Sequence, residues 1–377
     1  MKSSARPGQV ALLLGFLGFL IAPTIISLVR PDAGKELAAF ELRTLSDFPG
    51  PPTNRDAIAT FPRRLDAWIN DRFPLRSHLV LLNSFISANW LKTSPSSSVA
   101  LGKDGFLFYR SENALDQSRG LLLFQPDELD RLIDLFETRR QWLAELGIPL
   151  LLVIVPNKET VYRDRLPRWA SEVTSTTQRQ QFTARIKQRA LSLNVLDLTD
   201  GLIAAKPSRQ TYLRNDTHWT EEAAFEDGYL PILDGVKKLL PRFELPNKND
   251  WEAIEVVRKG ARLDLARMAG LAAVTTEVET VMRLKREKRF SSFQVEKLGA
   301  TAVEVIKGGL PGSLKAVWFR DSFTAAFMEP IAEVFSETVF VPREALTFSK
   351  SIIEHRKPDV VVYQFAERFL ARGIPVE

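Results

Sequence analysis

The sequence predicts an α/β domain built on a mostly parallel sheet flanked by helices, preceded by a helix able to cross a membrane. Three observations lead there. Short apolar runs alternate with helix-like periodic stretches from about residue 126 onward, the order that yields a parallel sheet covered on both faces. One run, Leu150-Leu-Leu-Val-Ile-Val155, is unbroken and ends at Pro156, as a strand buried on both faces requires. Residues Val10 to Val29 carry no charge over 20 positions, and such a helix spans about 30 Å, the thickness of a bilayer's hydrocarbon core.

Lys2 and Arg6 precede that apolar stretch, the order of a secretory signal or signal anchor with its basic end held in the cytoplasm and the remainder exported. A cleavable signal has a shorter apolar stretch and a small-x-small site, whereas this one runs into Leu28-Val29-Arg30-Pro31. An uncleaved anchor over residues 1–30 is therefore expected, with a buried core helix as the competing reading.

Composition narrows the function classes. Of the 377 residues 45% are hydrophobic and 26% charged, which suits a folded body with a core. The net charge of +5 would favour an anionic partner. The basic residues are dispersed among acids without interleaved aromatics, however, and no nucleic-acid groove is expected. Without cysteine there is no disulfide, thiolate metal site or cysteine nucleophile. His78, His218 and His355 are the only histidines, so a three-histidine metal site would consume them all.

After the anchor, residues 31–100 read as a helical lead-in, with amphipathic segments at Phe61 to Phe73 and Leu79 to Trp90. A Ser/Pro loop at Thr93 to Ser98 leads to the strand-like Asp104-Gly-Phe-Leu-Phe-Tyr109, opening a main domain over residues 101–377. Pro126-Asp-Glu starts a helix whose apolar face is Leu129, Leu132, Ile133, Phe136, Leu143 and Leu146, and Gly147 stops it. Further helices are expected at Thr177 to Leu193, Thr220 to about Lys238, Phe323 to Phe335 and Ser351 to Arg356. Strands are expected at Val195 to Leu198, Ala316 to Phe319, Thr338 to Val341 and Asp359 to Tyr363. Residues 273–310 break the rhythm with three strand-like runs, read as a small β-rich insertion.

Two motifs carry chemistry. Trp318-Phe-Arg-Asp-Ser-Phe323 puts Ser322 where a buried strand gives way to a helix, so its hydroxyl would stand at the sheet's mouth beside free N–H groups. The competing reading is that Asp and Ser are ordinary helix N-caps. Asn215-Asp-Thr-His-Trp-Thr220 places Asp216 two residues before His218; in extended chain both side chains share one face, with Asp216 receiving Nδ1–H and Nε2 free as a base. A solvated loop histidine before a helix start is the alternative. Together the motifs supply nucleophile, base and orienting acid, and a serine hydroxyl needs an adjacent base near neutral pH.

Asp-Thr-His-Trp at 216–219 followed about a hundred residues later by Arg-Asp-Ser-Phe at 320–323 resembles the SGNH-hydrolase-like domain of the alginate O-acetyltransferase family, J and X types. Asp104-Gly-Phe-Leu-Phe, Val155-Pro-Asn-Lys158, Leu263-Asp-Leu-Ala266, Pro358-Asp-Val-Val and Glu367-Arg368 look similar too, and the likeness covers most of residues 55–372. It implies an SGNH-hydrolase-like fold with Ser322, His218 and Asp216 as the catalytic triad, and an acetyl-serine intermediate that needs no metal or nucleotide cofactor. The acceptor would be a hydroxyl of an exopolysaccharide. The partner would be a multi-spanning membrane O-acyltransferase that delivers acetyl groups. The implied setting is the bacterial inner membrane, with a single-pass anchor and the catalytic domain in the periplasm.

Departures are Arg320, where many members of the wider group have glycine, and a chain ending at Glu377 without the carbohydrate-binding module of the X type. Backbone N–H groups around Ser322 and Phe323 are expected to hold the oxyanion, with Asn157 a further donor or a turn-capping residue. Arg320, Lys158 and Arg368 are candidate contacts to an acidic polymer, or surface and ion-pair residues. A polysaccharide acetylesterase and a non-catalytic polysaccharide-binding subunit of an export complex stand as rival functions.

Overall fold

The computed structural model describes residues 8, 10–18, 46–72, 76–291, 293–298, 301–309, 313–342 and 348–372. Of the expected anchor, residues 10–18 are helical and 19–29 lie outside the described residues. Among the described residues no helix is long and apolar enough to cross a membrane. The chain forms two compact units, Met1–Pro95 with Ala269–Ala273, and Ser96–Met268 with Val274–Glu377. In the first, the two amphipathic segments are helices Arg55–Arg72 and Arg76–Asn89.

The second unit contains every residue expected to do chemistry. Among the described residues its strands in chain order are β1 (Val99–Leu101), β2 (Leu107–Tyr109), β3 (Leu150–Val155), β4 (Asn194–Asp197), β5 (Trp251–Lys259), β6 (Thr276–Leu284), β7 (Gln294–Leu298), β8 (Thr301–Lys307), β9 (Lys315–Arg320), β10 (Glu337–Pro342) and β11 (Val360–Ala366). Seven make one sheet in the order β4-β3-β11-β9-β10-β8-β7. The first five run parallel, and β8 and β7 extend the β10 edge antiparallel.

Strand alternation divides the core in two. Leu151, Val153, Val155, Trp318 and Val362 face one layer with Ile232, Leu233 and Val236 of the helix Leu230–Leu239. Leu150, Leu152, Ile154, Val317, Phe319 and Tyr363 face the other, under Leu132, Ile133 and Phe136 of the helix Pro126–Glu145 and Phe182 of Gln178–Gln188. Buried on both sides, β3 needs apolar residues at every position and has them. Gly147, φ +73°, closes the preceding helix in the left-handed conformation that glycine adopts without strain.

The β-rich stretch does not make a sheet of its own. β6 pairs along its whole length with β5, a strand the sequence reading left unassigned, in a separate two-stranded ribbon. β7 and β8 form a hairpin that joins the main sheet through β8 against β10.

Candidate active site

Ser322 stands just beyond the C-terminal end of β9, the central region where ligand sites form in parallel sheets. Asp321 shapes the junction. Its Oδ1 caps the following turn by accepting Phe323 N–H at 3.0 Å, and its Oδ2 accepts Ala366 N–H at the end of β11 at 2.6 Å. Asp321 and Ser322 thus divide the two readings of the motif: the aspartate is the N-cap, and the serine hydroxyl is left for other partners.

Asp216 and His218 come from a loop folded back on itself rather than from extended chain. Tyr212 bridges Trp219, and Leu213 N–H donates to His218 O at 3.2 Å. Within the loop Asp216 Oδ1 accepts the main-chain N–H of His218 at 3.0 Å, the local bond that makes Asp a turn residue. That turn brings the imidazole over its own carboxylate: His218 Nδ1 lies 2.7 Å from Asp216 Oδ1. On the other edge of the ring, His218 Nε2 lies 2.7 Å from Ser322 Oγ. With Nδ1–H donated to Asp216, Nε2 is left to accept the serine proton.

Packing and charge hold the ring there. The Phe323 ring lies 4.9 Å from the His218 ring, and Trp219 Nε1–H donates to Phe323 O at 3.0 Å, tying the two motifs together. Burial pushes the Asp216 carboxyl up, but the His218 hydrogen bond and charge and the N–H groups of Asp264 and His218 outweigh it, bringing it to about 2. Burial works against a charged His218, yet the hydrogen bond and charge of Asp216 and the charge of Asp264 raise it above its ordinary value. Asp216, His218 and Asp264 offer ligand-type atoms within 4.8 Å of one another. Those atoms are hydrogen-bonded to one another, to Thr217 and to Ser322.

Residues 99–367 match the family described as "SGNH hydrolase-like domain, acetyltransferase AlgX". The chain belongs to that family. Relatives include the probable alginate O-acetylase AlgJ of Pseudomonas syringae pv. tomato, 28% identical over 188 residues, 50% of this chain and 46% of that one. AlgJ of Pseudomonas aeruginosa is 24% identical over 224 residues, 58% of this chain and 50% of the relative. The match therefore spans about half the length of these curated relatives. Among solved structures, Bacillus cereus PatB1 with a sulfonyl adduct superposes with a TM-score of 0.52 at 14% identity, over 74% of this chain and all of that one. The O-acetyltransferase domain of Pseudomonas putida AlgJ gives 0.49 at 19% identity, over 74% and 94%. On the family match and the PatB1 superposition, the fold is the SGNH-hydrolase-like α/β fold.

The remaining candidates of this family member are placed differently from the triad. Asn157 is fully buried: its amide donates to Gln117 at 3.4 Å and its Oδ1 accepts Arg368 N–H at 3.2 Å, the tie of a loop-fastening residue. Lys158 is buried too, its Nζ donating to the carbonyls of Leu107, Arg214 and Asp216 at 2.6, 2.8 and 3.0 Å. An ammonium so enclosed supports the Asp216 loop from beneath and has no surface to offer a polymer. Arg320 is ion-paired with Glu304 of β8.

Arg368 lies over the Phe323 ring at 5.4 Å and the Tyr109 ring at 5.9 Å, next to the turn that carries Ser322. The oxyanion expectation also narrows, because Phe323 N–H is spent on Asp321.

Sequence reasoning passed over Arg258 and Glu279. A cavity of about 340 Å³ opens beside Ser322 and His218, lined by Trp219, Phe323 and Ala326 and by the charged Glu221, Arg258, Arg262 and Glu279. Arg258 is ion-paired with both Glu221 and buried Glu279. The residues of β5 carry no period-two pattern that would have signalled this: its half-buried face mixes Glu252, Ile254, Val256 and Arg258.

Proposed function

We propose that this chain is a serine-dependent O-acetyltransferase that moves acetyl groups onto hydroxyls of an exopolysaccharide. The observation that carries the reading is the continuous relay from Asp216 through His218 to Ser322, with 2.7 Å at each link. Family membership and the names of the AlgJ relatives support the acetyl group as cargo.

In the first step His218 Nε2 takes the Ser322 proton as Oγ bonds to the acetyl carbonyl carbon. Ser322 N–H faces the developing oxyanion. Collapse of the tetrahedral intermediate breaks the donor ester bond, and His218 returns the proton to the leaving oxygen. In the second step a sugar hydroxyl gives its proton to His218 and attacks acetyl-Ser322, and the proton then restores the serine. The cavity beside Ser322, lined by both apolar and charged side chains, suits a small acyl group and a polar acceptor.

The same reading makes Val10 to Val29 an inner-membrane anchor, the catalytic unit periplasmic, and a membrane-bound O-acyltransferase the acetyl donor; the uncharged 20-residue stretch behind Lys2 and Arg6 is its support.

The test is incubation with an activated acetyl ester, followed by mass spectrometry of the Ser322 peptide and of an added oligosaccharide. Acetyl-Ser322 and acetylated sugar are expected, and both vanish in Ser322→Ala and His218→Ala. Acetate release without sugar acetylation would make the protein an esterase. Unchanged turnover in both variants would sink the serine mechanism.

A further inference from the structure

Leu263-Asp-Leu-Ala266 is a motif to which the triad gives no task. Its Asp264 opens the short helix Asp264–Met268 beside the Asp216 loop. The main-chain N–H of Asp264 donates to Asp216 Oδ2 at 2.7 Å. Its Oδ1 accepts Thr217 N–H at 2.8 Å, and its Oδ2 accepts the Thr217 hydroxyl at 2.5 Å. That same Oδ2 lies 3.8 Å from His218 Nδ1. The ring edge that donates to Asp216 thus has a second carboxylate within reach.

We infer that Asp264 is a positioning residue for this triad: it locks Asp216 and Thr217 around the imidazole and adds a second negative charge that favours the imidazolium formed when Ser322 is deprotonated. The inference rests on the serine-dependent reading above. Each residue before His218 in the loop is fixed from outside it. Asp216 and Thr217 are held by Asp264, and Arg214 and Asn215 donate their N–H groups to Glu277 of β6 at 2.6 and 3.1 Å. Only Asp264 also brings charge to the working edge of the ring. Had the residue merely to cap Thr217, any neutral acceptor would serve, and charge is therefore what separates the two roles.

The charged groups around His218 are Asp216 on its own loop, Asp264 from the neighbouring helix and Arg368 from the C-terminal segment, the last acting in the opposite sense. Lys158 lies beneath, bonded to the Asp216 carbonyl. Burial first, and then the proximity of Asp216, raise Asp264's own carboxyl above its ordinary value, as two acids sharing one imidazole require.

Asp264→Asn in the full chain removes the charge but keeps an Oδ1 for Thr217 and the main-chain N–H for Asp216. Thr217→Val removes the hydroxyl partner and leaves the charge, and Asp264→Ser serves if the asparagine variant does not fold. Two readouts are taken: the His218 ring titration by NMR with ¹³C-labelled histidine, assigned through His218→Gln, and kcat, KM and the pH profile for 4-nitrophenyl acetate.

In Asp264→Asn the His218 pKa is expected to fall by about half to one unit, and kcat to drop about tenfold with KM within about twofold. Thr217→Val should leave the His218 titration in place. An unmoved titration in Asp264→Asn, or the same fall in Thr217→Val, would overturn the inference. Turnover that survives Ser322→Ala would instead overturn the serine mechanism, and the titration would still decide whether Asp264 acts on His218.

Discussion

Asp321 Oδ1 accepts the N–H of Phe323 at 3.0 Å, so the residue after Ser322 has given its main-chain donor to the residue before it. The other oxygen, on Ala366 N–H, fastens the same turn to the end of β11. One buried carboxylate thereby sets both the start of the helical turn and its place on the sheet. Asp321→Ala should cost about 1–2 kcal/mol for the lost cap alone, read from urea unfolding. Turnover should fall as well, because Ser322 Oγ would no longer be held 2.7 Å from His218. Stability and activity both at wild-type level would show that the cap does not fix the serine.

The pH behaviour follows from two buried groups, Asp216 and Lys158, and the half-buried His218. Asp216, brought from an ordinary 3.8 to about 2, contributes stability that is present above about pH 4 and is lost as the pH falls toward 2. His218 has the opposite sign: raised above its ordinary 6.5, it contributes stability that is complete below that value and is lost as the pH rises through its raised one. Activity runs against this second term, since only neutral His218 can accept the serine proton, and kcat/KM should climb over the same interval. Lys158, lowered from 10.5 to about 8 by burial, binds its proton less tightly folded than unfolded, and stability should therefore rise between those values. Unfolding midpoints of wild type, Asp216→Asn and Lys158→Met across this pH range check each sign: the acid loss should disappear in the first variant and the alkaline rise in the second.

How much of this was legible in the sequence depended on whether the signal was local. The unbroken apolar run of β3 and the Pro126 helix start carry their structure in their own residues, as do the two triad motifs. β5 mixes polar and apolar residues on both faces, its partner β6 lies beyond a turn of helical segments, and only pairing made it a ribbon. The attachment of β8 to β10 is a register across some thirty residues that no local pattern encodes. Lys158 reads as a polymer contact or surface residue for a related reason. A lysine looks like surface until the carbonyls that satisfy it, from residues 107, 214 and 216, are brought alongside by the fold.

Arg258 tests whether the charged lining of the cavity is scaffold or substrate contact. Its guanidinium is shared between Glu221 and Glu279, and Glu279 is buried and also accepts Glu221 N–H at 2.7 Å. Removing the cation leaves a buried carboxylate with only that main-chain donor, so Arg258→Met should destabilise the protein by about 3 kcal/mol, the usual effect of breaking one side of a buried pair. Arg258→Met with Glu279→Gln should recover part of that loss, because the second change removes the charge left unpaired. If the pair is scaffold, the double variant also recovers KM for an oligosaccharide acceptor. If Arg258 touches the acceptor, stability returns and KM stays high, and the comparison of unfolding midpoint with KM in the two variants separates the outcomes.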